Sequence, residues 1–176
     1  IDLDIIKQFK SKMLKEFNQE IKAVVDNTYL GPLWQKPINF GADLVCYSAT
    51  KFLNGHSDLI AGAVMGDHES ILPIKTLRTF LGSMIAPYTA WLLTRSLETL
   101  HIRMTQQEKN TIEIVEFLQE HSKVKHVFYP GLESMGAKQN EIYKKQCLSG
   151  GAMISFTIED NEESAFKLLN SLKLIK

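Results

Sequence analysis

Apolar residues change their spacing along the chain, and this change predicts the order of helices and strands. In residues 3–18 they recur every three or four positions, as in an amphipathic helix that begins at Asp2 or Asp4. A loop rich in Gly and Pro is predicted over residues 28–37. Short apolar runs occupy residues 21–25, 44–47 and 59–65. Such runs are typical of strands covered on both faces, so we expect an α/β fold with a mostly parallel sheet and helices on both faces.

Beyond residue 65 the pattern becomes largely helical. Residues 67–80 are predicted to form a helix that Pro73 either kinks or splits. Pro87 suits the first turn of a long helix that continues to about residue 118. The apolar stripe of that helix weakens at residues 105–107, which favours a bend there.

Two further strands and a last helix are predicted in the remainder of the chain. The strands are expected at residues 124–129 and 154–158, and apolar and polar residues alternate in the second, as in a strand with one wet face. A capping box from Asp160 to Glu163 would start the helix, and residues 173–176 resemble the entry to another strand. We therefore divide the chain into a first unit, residues 1–104, and the beginning of an α+β unit, residues 105–176.

Charge and composition narrow the range of partners. Twenty Lys and Arg residues balance twenty Asp and Glu residues, so no basic surface argues for nucleic acid. No apolar run approaches the roughly 18 residues of a membrane span. The first residues show neither the basic start nor the apolar stretch of a signal peptide, and we expect a cytoplasmic protein.

Lys51 follows the second apolar run and is the first candidate for chemistry. A lysine amine that has lost its proton is a nucleophile, and burial or neighbouring positive charge favours that form. Its position between Thr50 and Phe52, beyond an apolar strand, would suit a desolvated amine that forms a Schiff base. The alternative is an ordinary surface lysine at a strand end, and position alone favours this alternative.

Asp26 closes the first apolar run, where an unpaired carboxylate would be costly. Beside a pyridinium nitrogen it would keep that nitrogen protonated, and the ring could then accept electrons from a substrate carbanion. A turn residue or a helix N-cap is the alternative, since Asp-Asn-Thr is a common turn sequence. An amine and a carboxylate of this kind are what a protein supplies to hold pyridoxal 5'-phosphate (PLP).

Two hydroxyls and a histidine lie close to Lys51 in the sequence. Ser48 and Thr50 could donate hydrogen bonds to phosphate oxygens, although Ser and Thr are also common at strand ends. His56 could carry protons, but a loop histidine bonded to the backbone is the favoured interpretation.

Several segments together resemble one family, the Cys/Met-metabolism PLP enzymes. The specific part is the sequence YSATKFLNGHSD at residues 47–58, which surrounds Lys51; VVDNT at residues 24–28 and GAD at residues 41–43 agree as well. Further agreement lies at residues 90–93, 97–100, 103–104, 129–132 and 150–156. The resemblance covers nearly the whole chain from Val24.

The resemblance implies a fold and a role for each candidate residue. The fold would be the aminotransferase-like, fold type I architecture of PLP enzymes. Lys51 would form the Schiff base and carry protons, and Asp26 would pair with the pyridine nitrogen. Ser48 and Thr50 would bind the phosphate, and Thr28 would lie near the ring.

The resemblance also implies an activity and an assembly. Family members break or form a C–S bond at Cγ of cystathionine, methionine or an O-acylhomoserine, usually as homotetramers built from dimers. A γ-lyase or γ-synthase fits best; cystathionine β-lyase is an alternative, and a non-catalytic remnant of the PLP scaffold is another. Complete family members are much longer, so we expect this chain to be an interior piece, with residues 1–104 forming the later half of the cofactor domain.

Overall fold

A computed structural model describes residues 1–158 and 161–174 of the chain. Its first part has two helices and three strands, with a 3₁₀ turn at Pro37–Phe40. These elements are α1 (Asp4–Phe17), β1 (Val24–Asp26), α2 (Gly31–Trp34), β2 (Leu44–Ser48) and β3 (Gly62–Gly66).

The second part is mainly helical, with a 3₁₀ turn at Glu133–Met135. Its elements are α3 (His68–Leu81), α4 (Pro87–Leu97), α5 (Leu100–Glu120), β4 (His126–Phe128), α6 (Ala137–Gln146), β5 (Ser155–Thr157) and α7 (Glu162–Ser171). Within the described residues, no helix is both long and apolar enough to cross a membrane.

Strands β1, β2 and β3 form one sheet, with β2 in the centre. β1 runs parallel to β2, with Asp26 opposite Cys46, and β3 runs antiparallel to β2, with Val64 opposite Cys46. A separate antiparallel pair joins β4 to β5. The expected α/β class is confirmed, but the sheet formed by the three strands is mixed rather than mostly parallel.

The core of the first sheet lies on one face only. Val45 and Tyr47 of β2 are buried there and pack with Ile6 of α1 and Leu93 of α4. Side chains alternate between the faces of a strand, so the opposite face carries Leu44, Cys46 and Ser48. That face is half-exposed, and its neighbour Val24 is 57% exposed. The expected cover of helices on both faces is therefore not found among the described residues.

The predicted helices mostly form, with shifted ends. Pro87 stands at the start of α4, as expected, and α3 continues through Pro73 without a break. The long helix is interrupted at Glu98 and Thr99, so the expected bend at residues 105–107 was wrong. Residues 31–34, within the predicted loop, and residues 37–40, which begin at its last position, form short helical turns, and α6 was not predicted.

Except for β2, which extends one residue beyond its run, the predicted strands are shorter than their apolar runs, because pairing covers only part of each run. β1 begins at Val24 instead of residue 21, and β3 begins at Gly62 instead of residue 59. α7 is capped by Asn161, whose Oδ1 accepts a bond from the Ser164 N–H over 2.7 Å. The predicted capping residue Asp160, like Ile175 and Lys176 of the last predicted strand, lies outside the described residues.

Candidate functional site

The parallel pairing of β1 and β2 brings two predicted site residues to the same edge of the sheet. Asp26 is the last residue of β1 and lies opposite Cys46, and Ser48 ends β2 two positions further on. Residues two apart in a strand share a face, so Asp26, Cys46 and Ser48 are on the same, half-exposed face. The structure therefore places the two strand ends side by side.

Thr28 connects the two strand ends. Its hydroxyl oxygen accepts a hydrogen bond from the Ser48 N–H over 2.8 Å, and its own N–H donates to Asp26 Oδ1 over 2.9 Å. Hydrogen bonds from the Thr28 hydroxyl, and then from its N–H, lower the pKa of Asp26 below its ordinary value, against the opposing effect of burial. Asp26 is thus held as a carboxylate at neutral pH. Sequence analysis placed Thr28 near a ring and missed this bridging role.

Asp26 and Lys51 are both exposed; for Lys51 this agrees with the surface position that its place in the sequence favoured, whereas the strand that ends in Asp26 is less buried than its apolar run suggested. Asp26 is exposed because β1 is a short outer strand, and Val24 on the same face is uncovered. Lys51 follows β2 in a turn that leaves its side chain in solvent. No ion pair or side-chain hydrogen bond to Lys51 occurs within residues 1–158 and 161–174. The amine is accordingly available to a ligand.

Backbone hydrogen bonds fix the turn that carries Lys51. The Lys51 N–H donates to the Ser48 carbonyl over 3.1 Å, and the Lys51 carbonyl accepts from the Gly55 N–H over 2.7 Å. The Asn54 N–H closes the turn on the Ala49 carbonyl over 2.9 Å. These bonds hold the lysine backbone, and the Lys51 side chain is exposed.

An open cavity of about 760 Å³ lies beside Lys51. Thr50 and Lys51 line it, together with residues from distant parts of the chain such as Tyr29, Gln107 and Met153. Asp26 and Ser48 do not line this cavity. The structure therefore brings together Asp26, Thr28 and Ser48 as one group and Thr50 and Lys51 as another, and the end of β2 joins the two groups.

The two predicted phosphate-binding hydroxyls differ in their surroundings. The Thr50 hydroxyl accepts from the Ala61 N–H over 3.1 Å and donates to the Ala61 carbonyl over 3.4 Å. No side-chain partner of the Ser48 hydroxyl is found in the described part of the chain. Ser48 could donate to an anion directly, whereas Thr50 would first have to give up its long bond to Ala61.

Cys46 and His56 complete the neighbourhood. Burial first, and the charge of Asp26 second, raise the pKa of the Cys46 thiol. His56 Nδ1 lies 2.6 Å from the Asn54 carbonyl oxygen, which only a protonated Nδ1 can satisfy. This is the backbone-bonded loop histidine that the sequence favoured.

The donor set fits the chemistry of PLP. An amine without a partner can bond to an aldehyde, a carboxylate kept ionised can pair with a protonated ring nitrogen, and a free hydroxyl can donate to a phosphate. Lys51, Asp26 and Ser48 supply these three groups around the ends of two adjacent strands.

Comparison with known proteins agrees with this chemistry. Residues 3–176 match the family model described as Cys/Met metabolism PLP-dependent enzyme. The chain belongs to this family. The family and the cofactor that the sequence predicted are thereby confirmed.

Two curated relatives illustrate how close the family match is. The chain is 42% identical over 165 residues to L-methionine gamma-lyase of Treponema denticola, an alignment that covers 93% of this chain and 41% of that protein. It is 39% identical over 150 residues to the chloroplastic cystathionine gamma-synthase 1 of Arabidopsis thaliana, covering 85% of this chain and 26% of that protein. The chain spans less than half the length of these relatives.

A solved structure confirms the fold type. Cystathionine gamma synthase from Xanthomonas oryzae pv. oryzae, in complex with aminoacrylate and cysteine, superimposes with a TM-score of 0.89 at 35% identity. The match covers 99% of this chain and 43% of that one. The chain thus has the fold of a PLP-dependent, fold type I enzyme, as the sequence predicted.

Proposed function

We propose that the full-length protein is a PLP-dependent enzyme of sulfur amino-acid metabolism. It would break or form a C–S bond at Cγ of cystathionine, methionine or an O-acylhomoserine, as a γ-lyase or a γ-synthase. One observation carries the proposal. Lys51, whose amine has no partner among the described residues, follows β2, and the neighbouring strand β1 ends in the ionised carboxylate of Asp26.

When bound, PLP would supply an aldehyde that takes up the substrate amine and a ring that accepts electrons from Cα. Lys51 would hold the cofactor in a Schiff base and, once the substrate amine replaces it, remove the Cα proton and carry it onward. Asp26, fixed by Thr28, would keep the proton on the ring nitrogen. Ser48 would bind phosphate first, with Thr50 as a second donor.

The experiment that tests the proposal is reduction of the full-length protein with borohydride in the presence of PLP, followed by peptide mass mapping. We expect one reduced adduct, on Lys51, and none on Lys51→Arg. The exposed lysine Lys36 provides the control variant Lys36→Arg, which should still give the Lys51 adduct. An adduct elsewhere, or none at all, would refute the lysine assignment.

A product assay then separates the reactions. Cystathionine, methionine, and an O-acylhomoserine with cysteine are supplied in turn, and the 2-oxo acid, thiol and ammonia are measured. Elimination at Cγ supports a γ-lyase and replacement supports a γ-synthase. Pyruvate released from the cystathionine Cβ–S bond would instead identify a β-lyase, and a Lys51 adduct without any turnover would identify a non-catalytic remnant.

We also propose the assembly and location of the protein. A homotetramer, built as a dimer of dimers, would bury the exposed apolar side chains of α3 and α4 and the segment between them, which include Leu77, Phe80, Leu81, Tyr88 and Trp91. We propose a cytoplasmic location and a domain boundary between residues 104 and 105. Light scattering of the full-length protein tests the tetramer, since a monomer at micromolar concentration would contradict it.

A further inference from the structure

The carbonyl groups that follow Lys51 are bound by a side chain from another part of the chain. Arg103, on α5, donates from Nη1 to the Phe52 carbonyl over 2.9 Å and from Nη2 to the Leu53 carbonyl over 3.3 Å. Backbone carbonyls in a tight turn need partners, and no backbone N–H within the described residues reaches these two. Arg103 therefore completes the hydrogen bonding of the Lys51 turn.

The guanidinium is itself held at the junction of two helices. Arg103 Nη2 donates to the Ser96 carbonyl, near the end of α4, over 2.9 Å, and Nε donates to the Thr99 hydroxyl over 3.1 Å. Burial lowers the pKa of Arg103, but a guanidinium in a protein keeps its charge. Four bonds thus orient one planar group, which the single ammonium of a lysine could not reproduce.

Gly55 shows how closely the turn approaches this group. Its φ is +71°, a conformation that favours glycine, and a Cβ built on it would lie 1.8 Å from Arg103 Nη1. Any side chain at position 55 would have to displace the guanidinium. The contact is specific in shape as well as in hydrogen bonding.

We propose that Arg103 is a positioning residue for Lys51: by binding the two carbonyls that follow the lysine, it sets where the Lys51 amine lies relative to the cofactor. This inference rests on the proposed function. Lys51 has no side-chain partner of its own in the described structure, so its hydrogen-bonded backbone is the part of the residue that the protein holds in place. A displacement of about 1 Å in a reacting group can cost ~100-fold in rate.

The test uses the full-length protein and three variants. Arg103→Met removes all four hydrogen bonds. Arg103→Lys keeps the positive charge but lacks the planar guanidinium with its several N–H donors. Arg95→Met is the matched control, because Arg95 is an exposed arginine on α4 that contacts the Trp91 ring and none of the turn carbonyls. Four quantities are measured: the rate of Lys51 adduct formation with PLP, the pH dependence of the imine absorbance, kcat and KM. Hydrogen exchange of residues 51–55 in cofactor-free protein is measured as well.

We expect Arg103→Met to speed exchange in residues 51–55, slow adduct formation, shift the pH profile of the imine and lower kcat by ~10- to 100-fold. KM should change less, since Arg103 does not line the cavity beside Lys51. Arg103→Lys should fall between the wild type and Arg103→Met, and Arg95→Met should match the wild type in all five measurements.

A second pair of variants decides the matter should Arg103→Met fail to fold. Gly55→Ala displaces the guanidinium and strains the backbone, whereas Gly136→Ala also places alanine at a positive φ, +86°, with nothing within 4 Å of the new Cβ. A difference between the two variants is then due to displacement of the Arg103 guanidinium and not to backbone strain alone. We expect slow adduct formation and a shifted imine pH profile in Gly55→Ala only.

Failure of the proposed function and failure of the positioning role give different experimental results. A wild-type protein that forms no adduct on Lys51 refutes the proposed function. The positioning role alone is overturned by a different result: the wild-type protein forms the adduct, and the Arg103 and Gly55 variants lose stability but keep the wild-type adduct rate and imine pH profile.

Discussion

The bridge formed by Thr28 gives the sharpest prediction of a local effect. Replacing Thr28 by valine keeps the shape of the side chain but removes the hydroxyl that accepts from the Ser48 N–H over 2.8 Å. Thr28 is 7% exposed, so water has little access to replace the lost acceptor. An unsatisfied buried donor costs about 1–3 kcal/mol, which corresponds to a ~5- to 150-fold change in an opening equilibrium.

The assay is hydrogen exchange of the Ser48 amide in cofactor-free, full-length protein, resolved to single residues. We expect exchange in Thr28→Val to be faster by a factor within that range, and exchange in Thr28→Ser, which keeps the hydroxyl, to stay near the wild-type rate. The pKa of Asp26 should rise in Thr28→Val because the first of its two stabilising bonds is lost. Unchanged protection in Thr28→Val, or equal loss in Thr28→Ser, would refute the bridge.

Three further predictions concern single side chains. Asp26→Asn should lower kcat by ~100-fold or more at full cofactor occupancy, since one preorganised charge is removed; equal rates would contradict the pairing. Asp43→Asn should destabilise the protein, because Asp43 Oδ2 accepts from both Lys10 Nζ and the Ala23 N–H over 2.7 Å. Burial raises the pKa of Asp43, but these bonds outweigh burial, and the pKa in the folded protein is lowered. The stabilisation that Asp43 provides is therefore complete above the pKa of the unfolded chain, near 4, and is lost as the pH falls through the lower folded-state pKa. Urea unfolding of wild type and variant from pH 3 to 7 checks this. Tyr129→Phe should cost about 1 kcal/mol, since the buried hydroxyl donates to the Gly151 carbonyl over 2.9 Å, and thermal unfolding measures it.

Local sequence patterns predicted most elements of the fold because those patterns act over short distances. The helical spacing of apolar residues in 3–18 depends on neighbours three and four positions apart, and each end of α1 lies within one residue of the predicted end. The interruption at Glu98 and Thr99 was missed because Arg103 binds the Ser96 carbonyl there, an interaction that apolar spacing does not report. Strand ends were missed because they depend on pairing with other strands.

The site was predictable in residue type but not in environment. Lys51 and Asp26 could be named from the motifs around them, and the parallel pairing of β1 with β2 followed from the expected α/β class. The exposure of Asp26 could not be foreseen, since burial depends on which other segments cover a face. The contact between Arg103 and the Phe52 carbonyl joins residues 51 positions apart, and no spacing rule connects them.

The single arginine that spans the α4–α5 junction has a mechanical consequence. Its Nη2 atom bonds to both the Ser96 carbonyl and the Leu53 carbonyl, so a rotation of α5 about Glu98 and Thr99 would pull on the backbone that follows Lys51. Any shift of α5 relative to α4 would therefore be passed on to the reactive lysine through one guanidinium.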